Sequence, residues 1–143
     1  LTMVAPQCRS SWWNNASLDA FYNEVTAKYK VDLKRVYLTG LSMGGFGTWD
    51  WSVVAPDKFA ALIPISGGGD PKRAAVIKNI PVWAFHNLKD PTVNVWGTLN
   101  MVDALKAVGG NIKSTIYNSA SHDAWTATYA NPAGETWSVA QHK

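Results

Sequence analysis

The stretch Gly40-Leu41-Ser42-Met43-Gly44 is the first place where residue type and spacing together point to chemistry. It lies in TGLSMGGFGTWDW, residues 39–51, which packs four glycines around one serine and then turns abruptly aromatic. G-x-S-x-G is the spacing of a sharp strand-to-helix elbow. Gly40 and Gly44 keep strand and helix from clashing, and Ser42 stands proud at the apex. The Met43 N–H, at the positive end of the helix, is then free to bind an oxyanion. A phosphate loop would need a Gly-Lys-Ser/Thr sequence, and no lysine follows here. A dinucleotide loop would need G-x-G-x-x-G, but Gly45-Phe46-Gly47 runs into Trp49-Asp50. The bland alternative is a glycine-lined packing contact with an ordinary capping serine.

A serine hydroxyl is too weakly acidic to attack an ester unaided, so it requires a histidine base and an acid to orient it. Three histidines are present. His86 closes the apolar run IPVWAFH and reads as structural, while His142 reads as a solvated residue of the tail. His122, in YNSASHDAW after the last strand-like run, is the candidate base. Asp90, in NLKDPTV after His86, is the candidate acid, and Pro91 restricts its backbone to extended conformations. Asp70 is the rival, but capping a helix that opens at Pro71 accounts for it. Asp123 adjoins His122 and is expected to point elsewhere.

These residues need a scaffold, and strand-like and helix-like runs alternate along the chain. LTMVAP (1–6) reads as a buried strand. A helix follows in WNNASLDAFYNEVTAKYK, with Leu18, Phe21, Tyr22, Val25 and Tyr29 at helical spacing and Asn15 or Ser17 as its cap. RVYLTG, FAALIPIS, IPVWAFH and KSTIY read as further strands. GGFGTWDWSVVA, a short segment after Asp70-Pro71 and the run through Leu99, Val102 and Leu105 read as helices, with a last short one around 135–141. Near-continuous apolar strands alternating with helices predict an α/β fold, a mostly parallel sheet covered on both faces. Ligands of such a sheet bind beyond the carboxyl ends of its strands, where Ser42, Asp90 and His122 all fall.

Composition narrows the partners. The 143 residues fit one domain, are 47% hydrophobic and 16% charged, and carry a net charge of +3. The positive residues are scattered, which argues against a nucleic-acid face. No apolar run approaches the roughly 20 residues of a membrane span, and no signal peptide is visible. Cys8 is the one cysteine and the histidines lie far apart, so neither a disulfide nor a zinc site is expected and no cofactor is implied. Eight tryptophans are the unusual number. Trp12, Trp13, Trp96 and Trp125 fall at the catalytic end of the predicted sheet and are candidates for a substrate-binding mouth, with hydrophobic packing as the alternative for each.

YLTGLSMGGFGTWDW, IPISGGGDP, IPVWAFHNLKDPTV and SHDAW together resemble the esterase branch of the α/β-hydrolases. That branch includes polyhydroxybutyrate-depolymerase-like, feruloyl-esterase-like and phospholipase/carboxylesterase-like proteins. The resemblance runs from VAPQC to WSVAQ, and the chain order Ser, Asp, His is the one expected of the fold. It implies Ser42 as nucleophile, Asp90 as acid, His122 as base, Met43 as one backbone oxyanion donor, and a small-molecule ester as substrate, short-chain or aryl. A peptidase of related fold is the alternative enzyme, and a non-catalytic carbohydrate-binding module the alternative of another class. Asn87 stands where the family commonly has glycine, and Asn94 where proline is frequent. In the family, VVAPQ-type segments form the fourth strand. Three earlier strands, and the loop giving a second oxyanion N–H, therefore have no counterpart in these 143 residues. The expectation is a single catalytic domain over 1–143 that is the larger part of a longer polypeptide, with an N-terminal segment as its partner. Relatives are often secreted, which leans the location toward the extracellular.

Overall fold

Apolar runs bounded by glycine and proline become the four strands of one parallel sheet. The computed structural model describes all 143 residues. Along the chain run α1 (Asn15–Lys28), β1 (Tyr37–Leu41), α2 (Met43–Val54), β2 (Ala61–Ile65), β3 (Val82–Asn87), α3 (Trp96–Ala107), β4 (Ile112–Tyr117), α4 (Trp125–Ala130) and α5 (Ala133–Val139). Two 3-10 segments, Pro56–Lys58 and Pro71–Ile77, lie in the connections on either side of β2. The strand order in space is β1-β2-β3-β4, with every neighbouring pair parallel. Spatial order thus repeats chain order. Each crossover carries helical structure over the sheet, as parallel neighbours require.

The register lines up Leu38, Leu62, Val82 and Ile112 as one apolar row across all four strands. This row belongs to the main core, where Leu18 of α1, Trp49, Trp51 and Val53 of α2, Ile77, and Met101 and Leu105 of α3 pack over the same face. Side chains alternate along a strand, so Ile63, Ile65, Trp83 and Phe85 point the other way and pack with Ala124, Trp125 and Trp137. Both faces are therefore covered, as a parallel sheet demands. Burying Leu62, Ile65 and Val82 completely stabilises the centre by about 1.5–3 kcal/mol each.

Four local differences from expectation appear. Residues 1–6 form no strand: their side chains are exposed, and the run pairs with no neighbour, without which an extended segment has no ladder. The cap of α1 is Asn14, whose side chain accepts from the Ser17 N–H at 3.0 Å, and neither Asn15 nor Ser17. Helix α4 is additional. The helix after Asp70 is of the 3-10 kind, capped as expected by the Asp70 carboxylate accepting from the Lys72 N–H at 3.0 Å.

Candidate active site

Between β1 and α2 the chain reverses on a single residue. Ser42 has φ 52° and ψ −115°, a backbone that L-residues rarely adopt. Its N–H donates to the Ile65 carbonyl at 2.9 Å, and its own carbonyl accepts from Gly45 and Phe46 at 2.9 and 3.1 Å, so the helix starts at once. A Cβ on Gly40 would lie 2.1 Å from the Gly44 carbonyl oxygen, and one on Gly45 would lie 2.4 Å from that of Ile65. The glycine requirement therefore falls on Gly40 and Gly45. A Cβ on Gly44 would meet nothing within 4 Å, which corrects the role expected for that side-chain position. Met43 opens α2, so its N–H is among the donors that have no partner inside the helix.

The loop after β4 brings His122 to the elbow, with its Nε2 2.8 Å from Ser42 Oγ. Its Nδ1 lies 2.7 Å from Asp90 Oδ2. A carboxylate only accepts, so Nδ1 carries the proton, Nε2 holds a lone pair and the Ser42 hydroxyl donates to it. Asp90 comes from the loop after β3. Its Oδ1 accepts from the Thr92 and Val93 N–H groups at 2.8 and 2.9 Å. Burial pushes the Asp90 carboxyl up, but the bonds from His122, Val93 and Thr92 outweigh it and hold the group below the usual carboxylate range.

The other acids and bases are occupied elsewhere. Asp123 caps α4, accepting from the Thr126 N–H at 2.8 Å and its hydroxyl at 2.7 Å, and these bonds lower its pKa. Asp70 is exposed and holds its 3-10 segment. His86 is fully buried. Its Nε2–H donates to the Val93 carbonyl at 2.8 Å, and its Nδ1 accepts from the Thr98 hydroxyl at 2.7 Å. Its Nε2 also lies 3.4 Å from Asp90 Oδ2, so His86 braces the loop that carries Asp90. Burial pushes its pKa down, and the imidazole is neutral. His142 is exposed in the tail.

The four tryptophans separate. Trp125 stands edge-on to the His122 ring, centroids 5.1 Å apart at 84°. Trp12 is 46% exposed and lies 5.5 Å from the ring of Phe46. Phe46 escaped sequence reasoning, although its position one helical turn after Ser42 is the signal that finds it. Trp13 is a clamp: its indole N–H donates to the Met43 carbonyl at 3.0 Å, and its ring fills the space over Gly47, where a Cβ would come within 2.6 Å. Trp96 is 54% exposed on the first turn of α3. No three His, Cys, Asp or Glu side chains converge in a way that could hold a metal ion, and no helix is long and apolar enough to cross a membrane.

A strand, a strained serine, a helix, and an acid and a histidine from the loops after later strands describe a known architecture. A solved thermostable esterase matches 90% of this chain at 36% identity with a TM-score of 0.86. The chain has the α/β-hydrolase fold. Two curated proteins match part of the chain. The bifunctional acetylxylan esterase/xylanase XynS20E of Neocallimastix patriciarum is 32% identical over 72 residues, 50% of the chain and 11% of the relative. Poly(3-hydroxyalkanoate) depolymerase C of Paucimonas lemoignei is 34% identical over 83 residues, 58% of the chain and 20% of the relative. No protein-family model matches the chain. The chain spans 36% of the length of the thermostable esterase.

Proposed function

We propose that the chain carries the catalytic machinery of a serine carboxylic-ester hydrolase. The observation that carries this reading is the hydrogen-bonded series Ser42 Oγ, His122 Nε2, His122 Nδ1 and Asp90 Oδ2, at 2.8 and 2.7 Å. Ser42 Oγ attacks the ester carbonyl while its proton passes to His122 Nε2. The Met43 N–H stabilises the oxyanion, as an aimed backbone donor does in a water-poor site. The imidazolium, steadied by the Asp90 carboxylate, gives its proton to the departing alkoxide and leaves an acyl-serine. Water then loses a proton to His122 as its oxygen attacks the acyl carbon, and Ser42 Oγ departs with that proton.

The substrates are small soluble esters with short acyl or aryl groups. Trp125 beside His122, and Trp12 with Phe46 one turn along α2, offer flat apolar surfaces on which such groups stack. Residues 1–143 act as one catalytic unit. An N-terminal segment of the same polypeptide adds strands beside β1 and gives the second oxyanion N–H.

Parallel assays on p-nitrophenyl butyrate and a chromogenic peptide anilide test the reading. The expected result is ester hydrolysis that Ser42→Ala and His122→Ala each reduce by roughly 10⁴-fold or more. Asp90→Asn is expected to lower it by a similar order while Asp70→Asn leaves it intact. Preference for the anilide would move the assignment to a peptidase. Failure of a fluorophosphonate to label Ser42 in the intact protein would sink the nucleophile altogether.

A further inference from the structure

Ser66, the first residue after β2, repeats the positive φ of Ser42 one strand over. It has φ 52°, and these two are the non-glycine residues with positive φ. The Ser66 N–H donates to the Phe85 carbonyl at 2.9 Å, as the Ser42 N–H donates to Ile65. Three glycines follow it, and a glycine at 66 would take the same backbone without strain. A serine there is costly unless its hydroxyl has a task, and that hydroxyl is fully buried. It donates to the carbonyl oxygen of His122 at 3.1 Å, which also accepts from the Ala124 N–H at 3.1 Å.

Asn87 does the corresponding thing from the end of β3. It is 1% exposed, and its Nδ2 donates to the Ser121 carbonyl at 2.8 Å. A buried polar side chain needs some partner, and most find one in their own loop. These two reach across to consecutive carbonyls of one segment, 56 and 34 residues away in sequence, and one of them is the carbonyl of His122 itself. Main chain and side chain are thus fixed from different strands: the backbone by Ser66 and Asn87, the imidazole by Asp90.

We propose that Ser66 and Asn87 are positioning residues that lock the His122 backbone, so that the imidazole is delivered between Ser42 and Asp90 with its proton on Nδ1. The proposal rests on the reading of Ser42, His122 and Asp90 as the catalytic set. Without the brace the peptide at 121–122 rotates, the ring leaves Asp90 Oδ2, and the Nε2–H tautomer, which cannot accept the Ser42 proton, gains population.

The test uses the full chain with Ser66→Gly, Ser66→Ala, Asn87→Gly and the Ser66→Gly/Asn87→Gly double variant, beside wild type and Ser42→Ala. Four quantities are read: kcat and KM on p-nitrophenyl butyrate, the melting temperature, and the ring ¹⁵N shifts of His122, which report its tautomer. Each single loss is expected to lower kcat by roughly tenfold to hundredfold with KM nearly constant, as a small misplacement of a reacting group does. Ser66→Gly is expected to melt no earlier than wild type, because strain is relieved. In the double variant the His122 nitrogens move toward the averaged shifts of a mixed tautomer. Unchanged ring shifts in the double variant overturn the proposal whatever the rate. A fall of kcat only in step with a lower melting temperature of Ser66→Gly overturns it too, since that is a general loosening. If wild type and Ser42→Ala hydrolyse the ester equally, the esterase reading fails, and the ring shifts still decide the brace.

Discussion

The buried Asp90 carboxylate and the buried His86 imidazole lie 3.4 Å apart, and both weaken the fold as the solution turns acid. Asp90 is held below its ordinary pKa by His122, Val93 and Thr92 despite its burial, and His86 is pushed down by burial itself, against the pull of the Val93 carbonyl and Asp90. His122, from the loop after β4, adds a further downward push on His86. Both folded-state values lie below the unfolded ones, so both groups stabilise the fold fully only above the unfolded pKa and lose that contribution as pH falls. For His86 the loss begins below about pH 6.5, and for Asp90 below about pH 3.9. Urea midpoints measured from pH 8 to pH 3 are therefore expected to fall in two stages. His86→Gln removes the upper stage and Asp90→Asn the lower; a single stage near pH 4 in the wild type contradicts this. The meeting of Ser42, Asp90 and His122 was legible because the candidates were few and each competitor had a visible alternative task. Asp123 sits at a helix start and Asp70 before a proline, and both turned out to be caps. Trp13 and Ser66 were not legible. Their partners, Met43 and His122, lie 30 and 56 residues away, and no local pattern encodes such a meeting.

At the scale of elements, the elbow makes unequal demands on its glycines. Gly40→Ala forces a Cβ to within 2.1 Å of backbone at Gly44, where no side chain can yield. The expected loss is about 2–3 kcal/mol, with ester hydrolysis falling as Ser42 is displaced. Gly44→Ala enters open space on the first turn of α2 and is expected to change stability by less than about 0.5 kcal/mol. Equal losses in the two variants, by chemical denaturation, would show that spacing and not contact governs the motif. The four strands of the sheet were readable because continuous apolar runs between breakers leave little choice of structure. Residues 1–6 have the same composition and failed for a reason outside themselves: a strand needs a neighbour. Helix α4 was missed because six residues, WTATYA, are too few to display a period.

For the whole molecule, burial is uneven across the sheet. Every residue of β2 and β3 is buried, while β1 lies at the sheet edge with Leu41 37% exposed. Local opening should follow that gradient. Amide exchange in the 143-residue chain is expected to be slowest in β2 and β3, and faster in β1 by roughly tenfold or more. Protection of β1 equal to that of β2 would mean that its outer edge is covered, and light scattering would then tell whether a second copy covers it.

Because the strands lie in space in the order in which they are written, the parts of the site reach the sheet one at a time. The serine elbow comes first, then Ser66, then Asp90, and His122 last, 80 residues after the serine. At ribosomal speeds that gap is roughly 4–16 s of synthesis. A nascent chain therefore holds Ser42 for that interval without the histidine proposed to activate it. Translation that stops short of residue 122 leaves a product that has Ser42 but lacks the residue proposed as its base.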